Sequence, residues 1–208
     1  MKILSVTPLE IPDVKVIRAA RFRDGRGYFT EHFRASDFNE LASGPLGAPG
    51  ARMLQANESW SRRGVIRGLH FQWAPSMGKL VRPLSGRLVD MALDIRRGSP
   101  ALGKIILYDM PFDQEADWLE WIWLPPGFAH GCLFPCDTAI EYLCTGEYSP
   151  LTEAGISPLA PDLDWSLADP ALKAEFEAIL SGGAVLSAKD RAGATLASWL
   201  ACGDSRNF

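Results

Sequence analysis

The sequence has no apolar run close to the roughly 18 residues that a membrane-spanning helix requires. The amino-terminal stretch, residues 1–16, is apolar over too short a length and becomes acidic too early for a secretory signal peptide. We therefore expect a cytoplasmic protein with no membrane partner. The 21 basic and 25 acidic residues give a net charge of -4, and there is no basic run. This balance argues against nucleic acid as a polymer partner, although a local group of arginines is enough to bind a nucleotide.

The chain also has few cysteines and no CxxC spacing; the four are Cys132, Cys136, Cys144 and Cys202. Three of them lie in strand-like, apolar surroundings, so we interpret the cysteines as reduced core residues rather than disulfides or metal ligands. Internal repeats and low-complexity segments are absent, and residues 44–50 form the one loose loop rich in glycine and proline. A single domain spanning residues 1–208 is the expected organisation.

Short strand-like segments dominate the first part of the chain, with turn residues about every eight to twelve positions, as in β-sandwiches and barrels. The clearest segment is residues 86–96, in which Val89, Met91 and Leu93 alternate with Asp90, Ala92 and Asp94. This period of two predicts a half-buried strand. Further predicted strands are residues 14–18, 27–33, 52–59, 79–83, 104–110, 119–124 and 139–144.

Two helices are predicted. Residues 35–41 form a short one with Ser36 as its N-cap. Residues 171–180 form another, preceded by the cap pair Asp169-Pro170 and stopped by Gly182-Gly183. We therefore expect a β body over about residues 1–165 and a short helical tail over about 166–208.

Residues 65–82 bring Arg67, His70 and Lys79 into otherwise apolar, strand-like sequence. Arginine binds phosphate or carboxylate oxygens in pairs, and histidine titrates near neutral pH, so this stretch is consistent with an anionic ligand beside a proton-transfer centre. A solvated edge strand is an equally simple interpretation of the same residues. Strict alternation places Arg67 and His70 on opposite faces unless Gly68 supplies a bulge between them.

The run Arg67-Gly68-Leu69-His70-Phe71-Gln72, followed by Gly78-Lys79-Leu80-Val81-Arg82, resembles the dTDP-4-dehydrorhamnose 3,5-epimerase family. These are cofactor-free cupins that epimerise nucleotide-linked 4-keto-6-deoxy sugars. The resemblance extends over about residues 17–192. It implies a cupin-type jelly-roll barrel, a nucleotide-sugar substrate that is dTDP-linked, no cofactor, and a homodimer with exchanged N-terminal strands.

The resemblance also implies catalytic roles. His70 matches the family's base, and Asp190, in Leu186-Ser187-Ala188-Lys189-Asp190, matches the carboxylate paired with it. Lys79 matches the cation beside the C4 oxygen of the substrate, and Tyr142 matches the proton donor. The residues that match ligand contacts are Arg26, Glu31, Gln55, Asn57, Arg67, His130, Glu153 and Lys189.

His130 ends a Pro-x-Gly-x-x-His motif, residues 125–130, which is similar to the latter half of the cupin signature. Metal-binding cupins carry His-x-His in the earlier half, where this chain has His70-Phe71-Gln72. The usual metal ligands are therefore incomplete, and no metal is predicted.

Two departures from the family pattern are visible. Ala56 replaces an acidic residue, and Glu147 stands where many members have a tyrosine that stacks on the base. Residues 155–165 look more like the epimerases of antibiotic deoxysugar pathways, which act at one carbon or two. Epimerisation at C3, C5 or both stays open, as do a nucleotide-sugar ketoisomerase, a cupin that binds a sugar nucleotide without chemistry, and a metal-dependent cupin oxygenase.

Overall fold

The computed structural model describes all residues from Met1 to Phe208. Thirteen strands alternate with few helices, which confirms the predicted mainly β class. The strands are β1 Ile3–Pro8, β2 Lys15–Ala20, β3 Phe22–Asp24, β4 Gly27–Phe29, β5 Gln55–Ser61, β6 Ile66–Gln72, β7 Lys79–Ser85, β8 Arg87–Asp94, β9 Ile105–Pro111, β10 Trp118–Leu124, β11 Phe128–Leu133, β12 Thr138–Cys144 and β13 Glu153–Gly155. The helices are α1 Ala35–Ser43, α2 Pro170–Ser181, α3 Ala188–Arg191 and α4 Leu196–Ala201, with a 3-10 turn at Gly203–Asn207.

The strands form two antiparallel sheets that pack as a jelly-roll barrel. One sheet has the order β1-β2-β10-β7-β12-β5, and the other has the order β13-β6-β11-β8-β9. Strands β3 and β4 form a separate hairpin outside both sheets. Helices α2, α3 and α4 follow the last strand, which confirms the helical tail. None of the helices combines the length and the apolar sequence that crossing a membrane would require.

Apolar side chains of both sheets meet inside the barrel in a cluster of 13 buried residues, among them Val81 and Ile140 from one sheet and Leu88 and Phe128 from the other. This packing follows from the period of two, because alternate side chains of each strand point to the same face. The cluster fills one part of the interior and leaves the remainder for polar side chains.

Both outer faces of the barrel are covered as well. The helical tail packs on the five-stranded sheet in a cluster of 17 buried residues that includes Phe176 and Trp199. Helix α1 packs on the six-stranded sheet through Phe38 and Leu41, against Trp121 and Trp123. These helices remove large apolar areas from water, at about 25 cal/mol per Å².

The prediction that residues 86–96 form a half-buried strand is wrong in one respect. Strand β8 is buried on both faces, because the tail covers its outer face and the barrel encloses its inner face. Asp90 and Asp94 are therefore only 1% and 0% exposed. The polar side chains of this strand point into the protein and need partners there.

One of the two predicted helix caps is confirmed, and the other is wrong. Asp169 caps α2, since its carboxylate accepts hydrogen bonds from the backbone N–H groups of Ala171 and Leu172. Ser36 is not the N-cap of α1, because the helix begins at Ala35, two residues earlier than a Ser36 cap requires. Arg34 stands at the N-cap position and makes no side-chain cap hydrogen bond.

The cysteine prediction is also only partly correct. All four cysteines are free, and Cys132 and Cys144 are buried, but Cys136 and Cys202 are exposed. Cys136 follows the end of β11 in a turn, and Cys202 lies beyond α4, so neither sits inside a strand.

Candidate active site

The open end of the barrel interior is lined by polar side chains at the inward positions of four strands. Lys79 shares the inward face of β7 with Val81, and Tyr142 shares that of β12 with Ile140. On the opposite sheet, β11 contributes His130 to the same interior. The period of two that builds the apolar core therefore also directs these groups toward one cavity.

A bulge in β6 brings both Arg67 and His70 into this cavity. His130 lies opposite His70 and Cys132 lies opposite Arg67, so a step of three residues in β6 faces a step of two in β11. Gly68 makes this possible, because its φ is +117° and an added Cβ would lie 2.6 Å from the Cα of Gly131. Gly68 therefore allows Arg67 and His70 to line the same cavity, although strict alternation would place them on opposite faces of the strand.

The cavity has two lobes that meet at His70, Lys79 and Tyr142, which line both. The first lobe has a volume of about 320 Å³ and the second about 360 Å³. Together they fall in the size range of small-molecule sites. The first lobe also contains Arg67, His130, Lys189 and Asp190, and the second contains Gln55, Asn57 and Glu153.

His70 forms a dyad with Asp190, whose Oδ1 lies 2.6 Å from His70 Nε2. An ionised carboxylate can only accept, so Nε2 carries the proton and Nδ1 keeps its lone pair. Burial lowers the pKa of His70, and the charge of Asp190 opposes that fall. Asp190 is 6% exposed and its backbone N–H donates to the Ser187 hydroxyl at the start of α3. The helical tail therefore fixes the carboxylate that orients the imidazole.

Lys79 lies beside this dyad without a carboxylate of its own. Its Nζ donates a hydrogen bond to the backbone carbonyl of His70 at 3.3 Å. Burial lowers the pKa of Lys79. A fixed ammonium in such surroundings favours negative charge that develops on a bound substrate, since its field is weakly screened.

Tyr142 faces the dyad from the other sheet. Burial raises the pKa of its phenol, with smaller contributions from Cys144 and Cys132. The hydroxyl therefore keeps its proton at neutral pH and can donate it to a basic carbon. Because β12 belongs to the six-stranded sheet and β6 to the five-stranded sheet, Tyr142 and His70 stand on facing walls of the cavity.

His130 has a buried carboxylate partner that the sequence interpretation missed. Asp90 Oδ2 lies 2.7 Å from His130 Nε2, and both residues are buried. The available signal was an aspartate at an inward position of β8, next to β11 in the sheet. Cys132, on the inward face of β11, also lines the first lobe.

The remaining predicted contacts are arranged around these groups. Gln55 donates to Asn57 at 2.9 Å on one face of β5, and Arg67 donates to the Ser61 hydroxyl at 2.9 Å. Glu153 and Lys189 form an ion pair at 2.5 Å, which raises the pKa of Lys189.

Comparison with known proteins identifies the family. The family described as dTDP-4-dehydrorhamnose 3,5-epimerase matches residues 8–198 of the chain. The chain belongs to this family. The dTDP-4-dehydrorhamnose 3,5-epimerase of Neisseria gonorrhoeae is 36% identical over 195 residues, which make up 93% of this chain and 53% of that protein. The chain thus spans about half the length of this relative.

Two solved structures of epimerases show the same fold. The dTDP-6-deoxy-D-glucose-3,5-epimerase of Legionella pneumophila, in complex with dTDP-4-keto-L-rhamnose, has a TM-score of 0.76 at 34% identity, with 93% of each chain covered. A 4-keto-6-deoxy sugar epimerase from the novobiocin gene cluster of Streptomyces spheroides has a TM-score of 0.77 at 30% identity, covering 98% of this chain and 92% of that one. The cupin-type fold expected from the epimerase resemblance is confirmed.

Arg26 and Glu31, the other two contacts implied by the epimerase resemblance, lie outside the cavity of this chain. Arg26 is exposed in the β3–β4 hairpin and pairs with Asp24 at 2.6 Å. Glu31 pairs with the terminal ammonium of Met1 at 2.8 Å and with Arg34. Their assignment as ligand contacts stays a prediction, because neither residue lines the cavity of its own chain.

Proposed function

We propose that this protein epimerises C3, C5 or both of a dTDP-linked 4-keto-6-deoxyhexose, without a cofactor. One observation supports this proposal most strongly. A buried His-Asp dyad and a protonated phenol face each other across a cavity, and a lysine without a carboxylate partner lies beside them. Inversion at carbon needs a base on one face of the sugar and an acid on the other, and this arrangement supplies both.

His70 is the base in this proposal. Its free Nδ1 accepts the proton from the carbon next to the ketone, and Asp190 stabilises the imidazolium that results. The low pKa that burial gives His70 keeps the ring neutral, and therefore competent, at neutral pH.

Lys79 stabilises the enolate. When the proton leaves, negative charge moves to the C4 oxygen, and an ammonium already in place needs no reorganisation to meet it. Tyr142 then donates its proton to the same carbon from the facing wall, which inverts the centre. His70 returns its proton through solvent, and Tyr142 is reprotonated in the same way, so no cofactor enters the reaction.

The nucleotide needs its own contacts. Arg67 and Lys189, exposed at the first lobe, suit the diphosphate because guanidinium and ammonium groups form charge-assisted hydrogen bonds with phosphate oxygens. Gln55 and Asn57 offer amides to the nucleotide or sugar in the second lobe. Glu153 holds Lys189 in place through their ion pair, and His130 hydrogen-bonds the sugar.

A homodimer completes this proposal. Arg26 and Glu31 cannot reach the cavity of their own chain, but a hairpin that projects from the sheets can reach that of a second copy. The exposed Phe22, Tyr28 and Phe29 on the β3–β4 hairpin, at 49%, 40% and 68% exposure, are consistent with burial against such a partner.

The test is incubation of the protein with dTDP-4-keto-6-deoxyglucose, with the configuration of the sugar followed by proton NMR. We expect inverted product from the natural chain and almost none from His70→Asn, while both bind dTDP equally in calorimetry. His32→Asn, which changes a histidine outside the cavity, is the matched control and should retain turnover. Normal turnover by His70→Asn, or loss of dTDP binding with intact chemistry, would contradict the assigned roles.

A further inference from the structure

A second group of polar side chains lies on the floor of the first lobe, and the proposed reaction uses only part of it. Asp90 comes from β8, while His130 and Cys132 come from the neighbouring strand β11. One ligand atom from each residue lies within 4.8 Å of the other two, and all three residues are buried. Carboxylate, imidazole and thiolate are the three donor types that zinc takes in proteins.

The distances within this group suit a tetrahedral ion. Zinc bonds of about 2.0–2.3 Å place neighbouring ligand atoms about 3.3–3.8 Å apart in a tetrahedron. Cys132 Sγ and His130 Nε2 are 3.7 Å apart, which already fits this spacing. His130 Nε2 and Asp90 Oδ2 are 2.7 Å apart across their hydrogen bond, so this pair must open by about 0.6 Å or more when an ion replaces the proton.

An independent observation also points to a missing partner. Asp90 Oδ1 is buried and has no hydrogen-bond partner, in a residue that is 1% exposed. A buried carboxylate oxygen without a partner is costly, and such an atom in a native structure calls for an ion or water. His130 and Cys132 line the first lobe, so a hydrated ion can approach them from the cavity.

We propose that Asp90, His130 and Cys132 bind one thiophilic divalent cation, with Zn²⁺ as the representative, and leave its fourth position open to water. The site is inhibitory rather than catalytic. An ion there occupies the imidazole assigned to the sugar and places positive charge near Lys79, which excludes productive binding of the substrate. This inhibitory part rests on the proposed function, whereas metal binding itself does not.

The nearby charges set the expected strength of binding. The ammonium of Lys79 acts on both Asp90 and Cys132, and it disfavours a second cation in the same region. With three protein ligands and this repulsion, we expect affinity well below that of four-ligand structural zinc sites.

The direct test is titration of the chelator-treated protein with Co²⁺, which reports its ligands by visible and near-ultraviolet absorption. We expect a thiolate-to-cobalt charge-transfer band and intense tetrahedral bands that saturate at one equivalent. Cys132→Ala should abolish the charge-transfer band, with Cys132→Ser as a second variant in case the first folds poorly. Cys144→Ala and Cys136→Ala are matched controls and should keep it, and Asp90→Asn should weaken binding at least tenfold.

Absence of the bands, or bands that survive in Cys132→Ala, would overturn the site whether or not the protein is an epimerase. The inhibitory part is tested separately. Saturating Zn²⁺ should stop epimerisation and EDTA should restore it, while Cys132→Ala should need at least tenfold more Zn²⁺ for the same inhibition. Full activity of the zinc-loaded natural chain would refute inhibition. Absence of epimerisation without zinc would refute the proposed function and leave the cobalt result standing.

Discussion

Replacement of Asp190 by asparagine tests the dyad most sharply, because the change keeps the size of the side chain and removes its charge. The carboxylate is buried and lies 2.6 Å from His70 Nε2. Hydrogen bonds to charged groups contribute about 1.5–3 kcal/mol. Since 1.36 kcal/mol corresponds to a factor of ten in rate, loss of orientation alone predicts roughly 10- to 150-fold slower turnover.

The amide adds a second effect. Its NH₂ group can donate to His70 Nε2, and the ring proton then moves to Nδ1, which removes the lone pair needed for proton abstraction. Loss of a general base costs on the order of 100- to 10,000-fold. We therefore expect kcat of Asp190→Asn to fall by about two to four orders of magnitude, with KM within a few-fold of the natural value.

The pH profile of kcat/KM separates this account from a general loss of structure. The rate falls as pH drops through the pKa of His70, because imidazolium cannot accept a proton. Burial holds the pKa of His70 below its usual value, and the charge of Asp190 opposes this lowering of the pKa. Without the carboxylate the pKa of His70 is therefore lower still. The acid limb of Asp190→Asn should move to lower pH.

The control is Asp109→Asn, at an ion pair with Arg87 outside the cavity, which should leave kcat and the acid limb unchanged. If Asp190→Asn kept more than about a tenth of the natural kcat with an unmoved acid limb, the dyad would not be the base described here.

Three further predictions follow from the same cavity. Tyr142→Phe should stop inversion while exchange of the substrate α-proton with solvent persists in NMR, because the base remains and only the acid is lost. Tyr108→Phe, outside the cavity, should change neither inversion nor exchange. Loss of exchange in Tyr142→Phe would contradict the assignment of His70 as base and Tyr142 as acid. Lys79→Met should reduce kcat by on the order of 100-fold, because the charge that stabilises the enolate is lost. It should also raise the free energy of unfolding in urea by roughly 1 kcal/mol, because a lysine without a carboxylate partner is costly to bury. Unchanged kcat would exclude a role of Lys79 at the enolate. Gly68→Ala should lower that free energy by about 3 kcal/mol or more, since the new methyl group would meet the Gly131 backbone; a loss under 1 kcal/mol would mean that the bulge is adaptable.

Local periodicity was sufficient to predict the β body but not the site. Lys79 was noticed as a cation in apolar sequence and Tyr142 entered only through the epimerase resemblance, and the burial of their strands does not alternate regularly. The helix after Asp169 was equally predictable, because capping depends on a few neighbouring residues.

Long-range packing accounts for what could not be predicted. Asp190 is 120 positions from His70 along the chain, and only the docking of the helical tail brings the two together. The same tail buries the outer face of β8. The alternating sequence of β8 is typical of a half-buried strand, but the strand is enclosed on both faces. Asp90 therefore looked like a surface acid, although it is the partner of His130.

The central claim is proton abstraction beside a ketone, and proton NMR of dTDP-4-keto-6-deoxyglucose in deuterated water tests it most directly. With the natural chain we expect deuterium to enter at C3, C5 or both, and His70→Asn to show no entry above the rate without protein. Entry at both carbons defines a 3,5-epimerase, and entry at one defines a mono-epimerase. Deuterium entry that is absent, or that continues unchanged in His70→Asn, would contradict the account.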